Sequence, residues 1–237
     1  MNSPVLCIGT VQFGKNYGIT NKNGKINFVD AKAIFSKMLE KDLKFIDTAQ
    51  SYGDSEKIIG ETLLNKNNFK IISKINPEFI YDKNIKSLKK YWDKIFDKTL
   101  FNLKIKKLEG LLLHSPRGLT KYQKLTLQEW LYEKKQENKV NKVGISIYEK
   151  SDLNEFNLSL IDIIQLPLSI YDQRMINNGC IEFLNSRGIE IYVRSIFLQG
   201  LILNGTSAWP KWVSKKDLNN HKKFLYFLKN ENISPLI

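Results

Sequence analysis

Four side chains in this sequence have the types needed to move a proton onto a carbonyl oxygen: Asp47, Tyr52, Lys74 and His114. An oxygen that gains negative charge as a hydride reaches its carbon needs an acid close by. A tyrosine is a weak acid at its ordinary pKa of about 10. A neighbouring ammonium, here Lys74, favours the phenolate and eases the transfer, and Asp47 holds and charges that ammonium. His114 supplies a hydrogen bond that orients the carbonyl. A lyase using Lys74 as a Schiff base would draw on the same lysine, but the company of Tyr52 and His114 suits hydride transfer better.

Three of the four residues stand at the ends of short apolar runs. Segment 43–46 leads into Asp47, 69–73 into Lys74 and 108–113 into His114. Polar residues at the carboxyl ends of successive strands meet in one pocket when the strands are parallel and close into a barrel. The rest of the chain keeps the same rhythm. Strands are predicted over 5–8, 43–46, 69–73, 108–113, 142–147, 161–166 and 189–193. Helices are predicted over 30–41, 55–64, 84–103, 125–137, 150–157, 180–186 and 221–229, with Gly188 closing the sixth. Strands alternating with helices imply parallel βαβ units, and near-continuous apolar strands imply burial on both faces. The expected fold class is therefore α/β, a TIM-type (β/α)8 barrel forming one domain over 1–237. Only seven strand–helix units can be found, so strand eight and its helix are missing from this reading.

Composition narrows the function classes. An apolar content of 42% supports a sizeable core and argues against disorder. The net charge of +13 resembles a nucleic-acid or membrane signal, but only four of the 37 basic residues are arginines and the lysines are scattered. They read as solvated faces, so neither a nucleic-acid nor a membrane partner is expected. Cys7 and Cys180 are too few and too far apart for a disulfide framework or a metal cluster, and both read as small core residues. No metal is expected. The first residues carry no signal-peptide pattern and no apolar run is long enough for a span, which predicts a soluble cytoplasmic protein.

With the motifs in view, the chain resembles the aldo/keto reductases, NADPH-dependent enzymes on a (β/α)8 barrel. The most specific pieces are Asp47-Thr-Ala and Tyr52-Gly-Asp-Ser-Glu56, followed by Ile59-Gly60-Glu61. Lys74 ends Ile71-Ile-Ser-Lys, and His114 lies in Leu111-Leu-Leu-His-Ser-Pro116. The resemblance implies that Tyr52 is the acid, Lys74 and Asp47 its tuning pair, and His114 the orienting group. It implies NADP(H) as cofactor and a small-molecule aldehyde or ketone as substrate, with a sugar-derived carbonyl suggested by the bacterial branch. Gly144-Ile-Ser146 matches the turn whose serine holds the nicotinamide carboxamide, although Ile147 stands where the family has an asparagine. Gln165 matches a glutamine contacting the same carboxamide. Val193-Arg-Ser195 resembles the bacterial branch, with Arg194 stacking or pairing with phosphate and Ser195 near the pyrophosphate. Gly9-Thr-Val-Gln-Phe-Gly14 resembles the family's first strand end, while Trp209 and Trp212, in the long loop after strand seven, read either as a lid over substrate or as a cover for the helix that follows.

In that family a further helix, strand eight and the loop gripping the adenosine 2′-phosphate follow the segment resembling 233–237. Their absence leaves strands one and seven as open edges, a surface for self-association. A truncated, non-catalytic remnant or binding protein that retains the tetrad is the alternative to an active reductase.

Overall fold

The computed structural model describes residues 5–76 and 85–234. Its strands are β1 (Cys7–Gly9), β2 (Phe45–Asp47), β3 (Lys70–Ile75), β4 (Leu108–Leu113), β5 (Val140–Ser146), β6 (Ile163–Pro167) and β7 (Glu190–Arg194). All six pairings are parallel and join sequence neighbours, giving one seven-stranded sheet with β1 and β7 at its edges. This is a (β/α)8 barrel wall without its eighth strand among the described residues. Each predicted strand is present, displaced by at most two residues at either end.

The helices are α1 (Val11–Gly14), α2 (Phe28–Glu40), α3 (Ser55–Thr62), α4 (Ile85–Leu103), α5 (Lys121–Gln136), α6 (Arg174–Asn177), α7 (Cys180–Asn185) and α8 (Lys215–Asn230). Asn84, the expected start of α4, lies outside the described residues. Helices α5 and α8 begin at Lys121 and Lys215, well before the 125 and 221 that apolar periodicity predicts, because their first turns are polar and fixed by caps. Thr120 and Gln123 form a reciprocal capping box ahead of α5, and the Ser214 hydroxyl accepts from the Asp217 N–H ahead of α8. The helix predicted over 150–157 is instead two 3₁₀ turns, Lys150–Leu153 and Leu158–Leu160, interrupted by the left-handed backbone of Glu155. Gly188 does close α7. It adopts φ 68°, and the Ile189 N–H reaches back to the Leu184 carbonyl at 3.2 Å.

Strand parity decides what faces the barrel interior. Ile72, Leu112 and Ile163 form an inner cluster with Cys7, Phe45 and Tyr192, while Ile46, Ile71, Leu111, Val143, Ile145 and Ile164 belong to the main core under the helices. Stepping by two along the strands from the inner set reaches Gly9, Asp47, Lys74, His114, Gln165 and Arg194. The interior is thus apolar toward the amino ends of the strands and polar at their carboxyl ends. Cys180 is fully buried, as expected, whereas Cys7 is only partly buried and lines the interior. Burial pushes its thiol up to about 12, so it is an unreactive group.

Close backbone approaches fix the wall near the polar end. A Cβ on Gly14 would lie 1.5 Å from the Tyr52 carbonyl oxygen, so α1 can support the Tyr52 turn only with glycine there. A Cβ on Gly60 would lie 2.0 Å from the Asn102 carbonyl oxygen, which lets α3 press against α4. Among the described residues, no helix is long and apolar enough to cross a membrane.

Candidate active site

Asp47 ends β2, and the chain then turns sharply to deliver Tyr52. The Tyr52 N–H donates to the Ala49 carbonyl at 3.0 Å, the Ser55 N–H to the Tyr52 carbonyl at 3.2 Å, and Gly53 takes φ 61°. Beneath this turn the buried Ser55 hydroxyl lies 3.0 Å from both the Thr48 hydroxyl and the Thr10 carbonyl. Hydroxyls that satisfy one another in the interior fix a loop without introducing charge.

Lys74 is 1% exposed, so its charge needs compensation. The ammonium donates to both Asp47 carboxylate oxygens at 2.7 Å and to the Thr48 carbonyl at 2.9 Å. Burial works against that charge, but Asp47 and Tyr52 more than offset it and hold the Lys74 pKa above the usual lysine value. The same ammonium lies 5.2 Å from the centre of the Tyr52 ring. Burial is also the dominant influence on Tyr52 and raises its phenol, with Lys74 recovering only part of the shift. The sequence-based expectation that Lys74 brings the phenol down therefore holds for that one interaction and fails for the net direction.

The His114 ring meets the Tyr52 ring edge-on, with centroids 5.8 Å apart. Its Nδ1 lies 3.1 Å from the Ser51 hydroxyl. Burial, reinforced by the positive charges of Lys74, Arg194 and Lys15, lowers the His114 pKa to about 4 against the pull of Asp47. The imidazole is therefore neutral at physiological pH and can orient an acceptor without carrying charge. The raised phenol and the lowered imidazole together predict a flat pH dependence. A kcat/KM that depends on these two groups should show no ionisation of either between about pH 5 and 9. A profile of initial rates checks this, and an inflection near 6.5 that vanishes in His114→Gln would contradict it.

The remaining predicted residues follow on later strands. Ser146 and Gln165 are register partners on β5 and β6, both buried. The Gln165 side-chain amide donates to Asp47 Oδ1 at 2.9 Å, joining β6 to the Asp47–Lys74 pair. Its Oε1 is buried without a hydrogen-bond partner among the described residues, so the site holds an acceptor that lacks a donor. Ile147 packs in the outer core, and its carbonyl accepts from Arg194 Nη2 at 3.1 Å. The Arg194 guanidinium stacks 4.1 Å from the centre of the Tyr148 ring. Ser195 takes φ 63° just past β7, and its hydroxyl lies 3.4 Å from Arg194 Nη1. The Trp209 ring packs at a tilt on His221 of α8, with centroids 4.7 Å apart, and so covers that helix, while Trp212 is largely exposed.

Several supporting residues escaped the sequence reading. Glu56 is buried beside Lys74's strand, accepting from the Ser73 hydroxyl at 2.7 Å and the Thr99 hydroxyl at 3.3 Å. Burial raises its carboxyl pKa. It ties α3 to β3 and α4; the sequence marks it only as the last residue of the Tyr52-Gly-Asp-Ser-Glu56 motif and in the first turn of a helix, with no role attached. Ser51 and Tyr148 left no signal at all.

The family model for the aldo/keto reductase family matches residues 5–233. The chain belongs to the aldo/keto reductase family. Aldo/keto reductases carry out carbonyl oxidoreduction with nicotinamide cofactors. Solved structures of family members share the fold at low identity. A putative aldo-keto reductase from Pseudomonas aeruginosa is 20% identical, with 85% of this chain and 74% of that one covered at a TM-score of 0.65. A glycerol dehydrogenase from Gluconobacter oxydans is 19% identical, with 99% and 78% covered at 0.71. An aldo/keto reductase from Klebsiella pneumoniae, determined in complex with NADP and acetate, is 14% identical, with 98% and 74% covered at 0.70. No curated protein matches the chain.

Proposed function

We propose that this aldo/keto reductase reduces an aldehyde or ketone to the alcohol, using NADP(H), with Tyr52 as the general acid. The observation that carries the reading is the buried Lys74 ammonium, clamped at 2.7 Å by both Asp47 oxygens and facing the Tyr52 ring beside a neutral His114. Bound reduced nicotinamide supplies the hydride. As the carbonyl oxygen gains charge, Tyr52 gives it a proton and becomes a phenolate, which the Lys74 ammonium stabilises. Asp47 keeps Lys74 protonated throughout. His114 donates a hydrogen bond to the same oxygen and fixes its direction.

The donor set suits a nicotinamide. A carboxamide NH₂ group is the kind of donor the orphaned Gln165 Oε1 lacks, and Ser146 is its register neighbour. Arg194, already stacked and ordered, supplies positive charge for stacking or phosphate, with Ser195 beside it. A cavity of about 510 Å³ adjoins Ser51 and Gly53, but its other walls include Glu56 of α3 and Tyr91, Ile95, Lys98 and Thr99 of α4, and none of the four proposed catalytic side chains lines it.

The reading is tested by titrating NADPH with the protein and following nicotinamide fluorescence, then assaying a panel of aldehydes and hydroxyaldehydes. Binding with turnover is the expected result. No change in fluorescence up to millimolar protein would overturn the reading. Binding without turnover on any carbonyl would leave the chain a nicotinamide-binding protein that retains the tetrad.

A further inference from the structure

We propose that Ser51 is a positioning residue that sets the tautomer of His114, donating its hydroxyl proton to Nδ1 so that Nε2 carries the N–H available to a carbonyl oxygen. The proposal rests on the role of His114 as the orienting group. A neutral imidazole has one N–H and one bare nitrogen, and the partner of one nitrogen decides the state of the other. His114 is neutral here, with its Nδ1 3.1 Å from Ser51 Oγ. That contact is the one side-chain hydrogen bond recorded for the Ser51 hydroxyl among the described residues, so its proton is free to rotate toward Nδ1. An imidazole nitrogen is a far stronger acceptor than a hydroxyl oxygen, so the favoured form of the pair is O–H donating to Nδ1. The alternative, with Nδ1–H donating to Oγ, would leave Nε2 bare and repel the oxygen that the site must hold.

The placement of Ser51 makes the coupling tight. It immediately precedes Tyr52 in the turn braced by Gly14 and Ser55, so the backbone that presents the acid also presents the group that orients the imidazole. Position 51 thereby links the two residues that meet the same substrate oxygen.

The test uses nitrogen-15 spectra of the whole chain near pH 7. The sequence has two histidines, His114 and His221, and a His114→Gln sample assigns the signals. Wild type should show His114 as the Nε2–H form with a hydrogen-bonded Nδ1. In Ser51→Ala the Nδ1 signal should move and the two tautomers should mix, with kcat falling ~3–10-fold, the range one neutral hydrogen bond commands, and KM changing less. Ser51→Thr, which keeps the hydroxyl, should restore both. A wild-type Nδ1–H form, or spectra and kcat unmoved by Ser51→Ala, would overturn the proposal. If the wild-type and Ser51→Ala spectra behave as expected but no carbonyl is ever reduced, the tautomer assignment stands and the reductase reading fails. The wild-type spectrum decides the matter even if the alanine variant does not fold.

Discussion

Tyr52→Phe should lower kcat for carbonyl reduction by about 10²–10⁴-fold, the range a positioned general acid supplies. NADPH affinity and thermal midpoint should change little. The variant removes one hydroxyl and keeps the ring, so the edge-on contact with His114 and the face presented to Lys74 both survive. What disappears is the proton that must reach the oxygen as the hydride arrives. Nothing else nearby can replace it. Lys74 is held protonated above the usual lysine range, with Asp47, the Thr48 carbonyl and Tyr52 itself as its partners. His114 has lost its acidic form near pH 4. Single-turnover rates with bound NADPH isolate the chemical step, and a loss of less than tenfold there would remove Tyr52 from the acid role.

The raised pKa of Tyr52 fits that role. A phenol already ionised at neutral pH could not act as an acid, and burial prevents this even with an ammonium beside it. In the proposed reaction Lys74 would therefore act mainly on the product side of the proton transfer, where the phenolate exists and its charge has a partner. On that reading the site is preorganised: the positive charge would be in position before it is needed, with Asp47 holding it there.

Much of this was legible because strand parity is rigid. Once Asp47, Lys74 and His114 stand at the ends of parallel apolar runs, a period of two along each strand sends them to the same interior that Ile72, Leu112 and Ile163 fill lower down. Gln165 and Arg194 follow by the same count. Residues outside the strands were harder to read. Glu56 finds Ser73 and Thr99 across 17 and 43 positions, a pairing made by helix packing that no local pattern records. Ser51 looks like an ordinary turn residue until the fold brings His114 to it across 63 positions. The early starts of α5 and α8 were missed because capping side chains, which fix those ends, carry no hydrophobic periodicity. The net direction of the Tyr52 shift depended on how much solvent the fold excludes, which spacing alone cannot report.

The second large effect concerns the ion pair, and its two halves should behave unequally. Breaking a buried pair by removing one partner costs about 3–5 kcal/mol, because the survivor is left charged without compensation. Asp47→Asn leaves Lys74, 1% exposed, with the Thr48 carbonyl and a neutral amide, so it should fall in the upper part of that range. Lys74→Met leaves Asp47, 14% exposed, with the Gln165 amide still donating to it, so some water and one hydrogen bond remain. It should therefore cost less. The double variant Asp47→Asn/Lys74→Met contains no orphaned charge and should recover much of the loss, which urea unfolding of all four proteins at pH 7 measures directly. Activity should diverge from stability in the same set. Every variant lacks either the ammonium or the carboxylate that keeps it charged, so the refolded double variant should remain as slow in carbonyl reduction as Lys74→Met. Strict additivity of the two stability losses would show that the pair does not act as a unit. Recovery of kcat alongside stability would place the pair outside the chemistry and assign it to the scaffold alone.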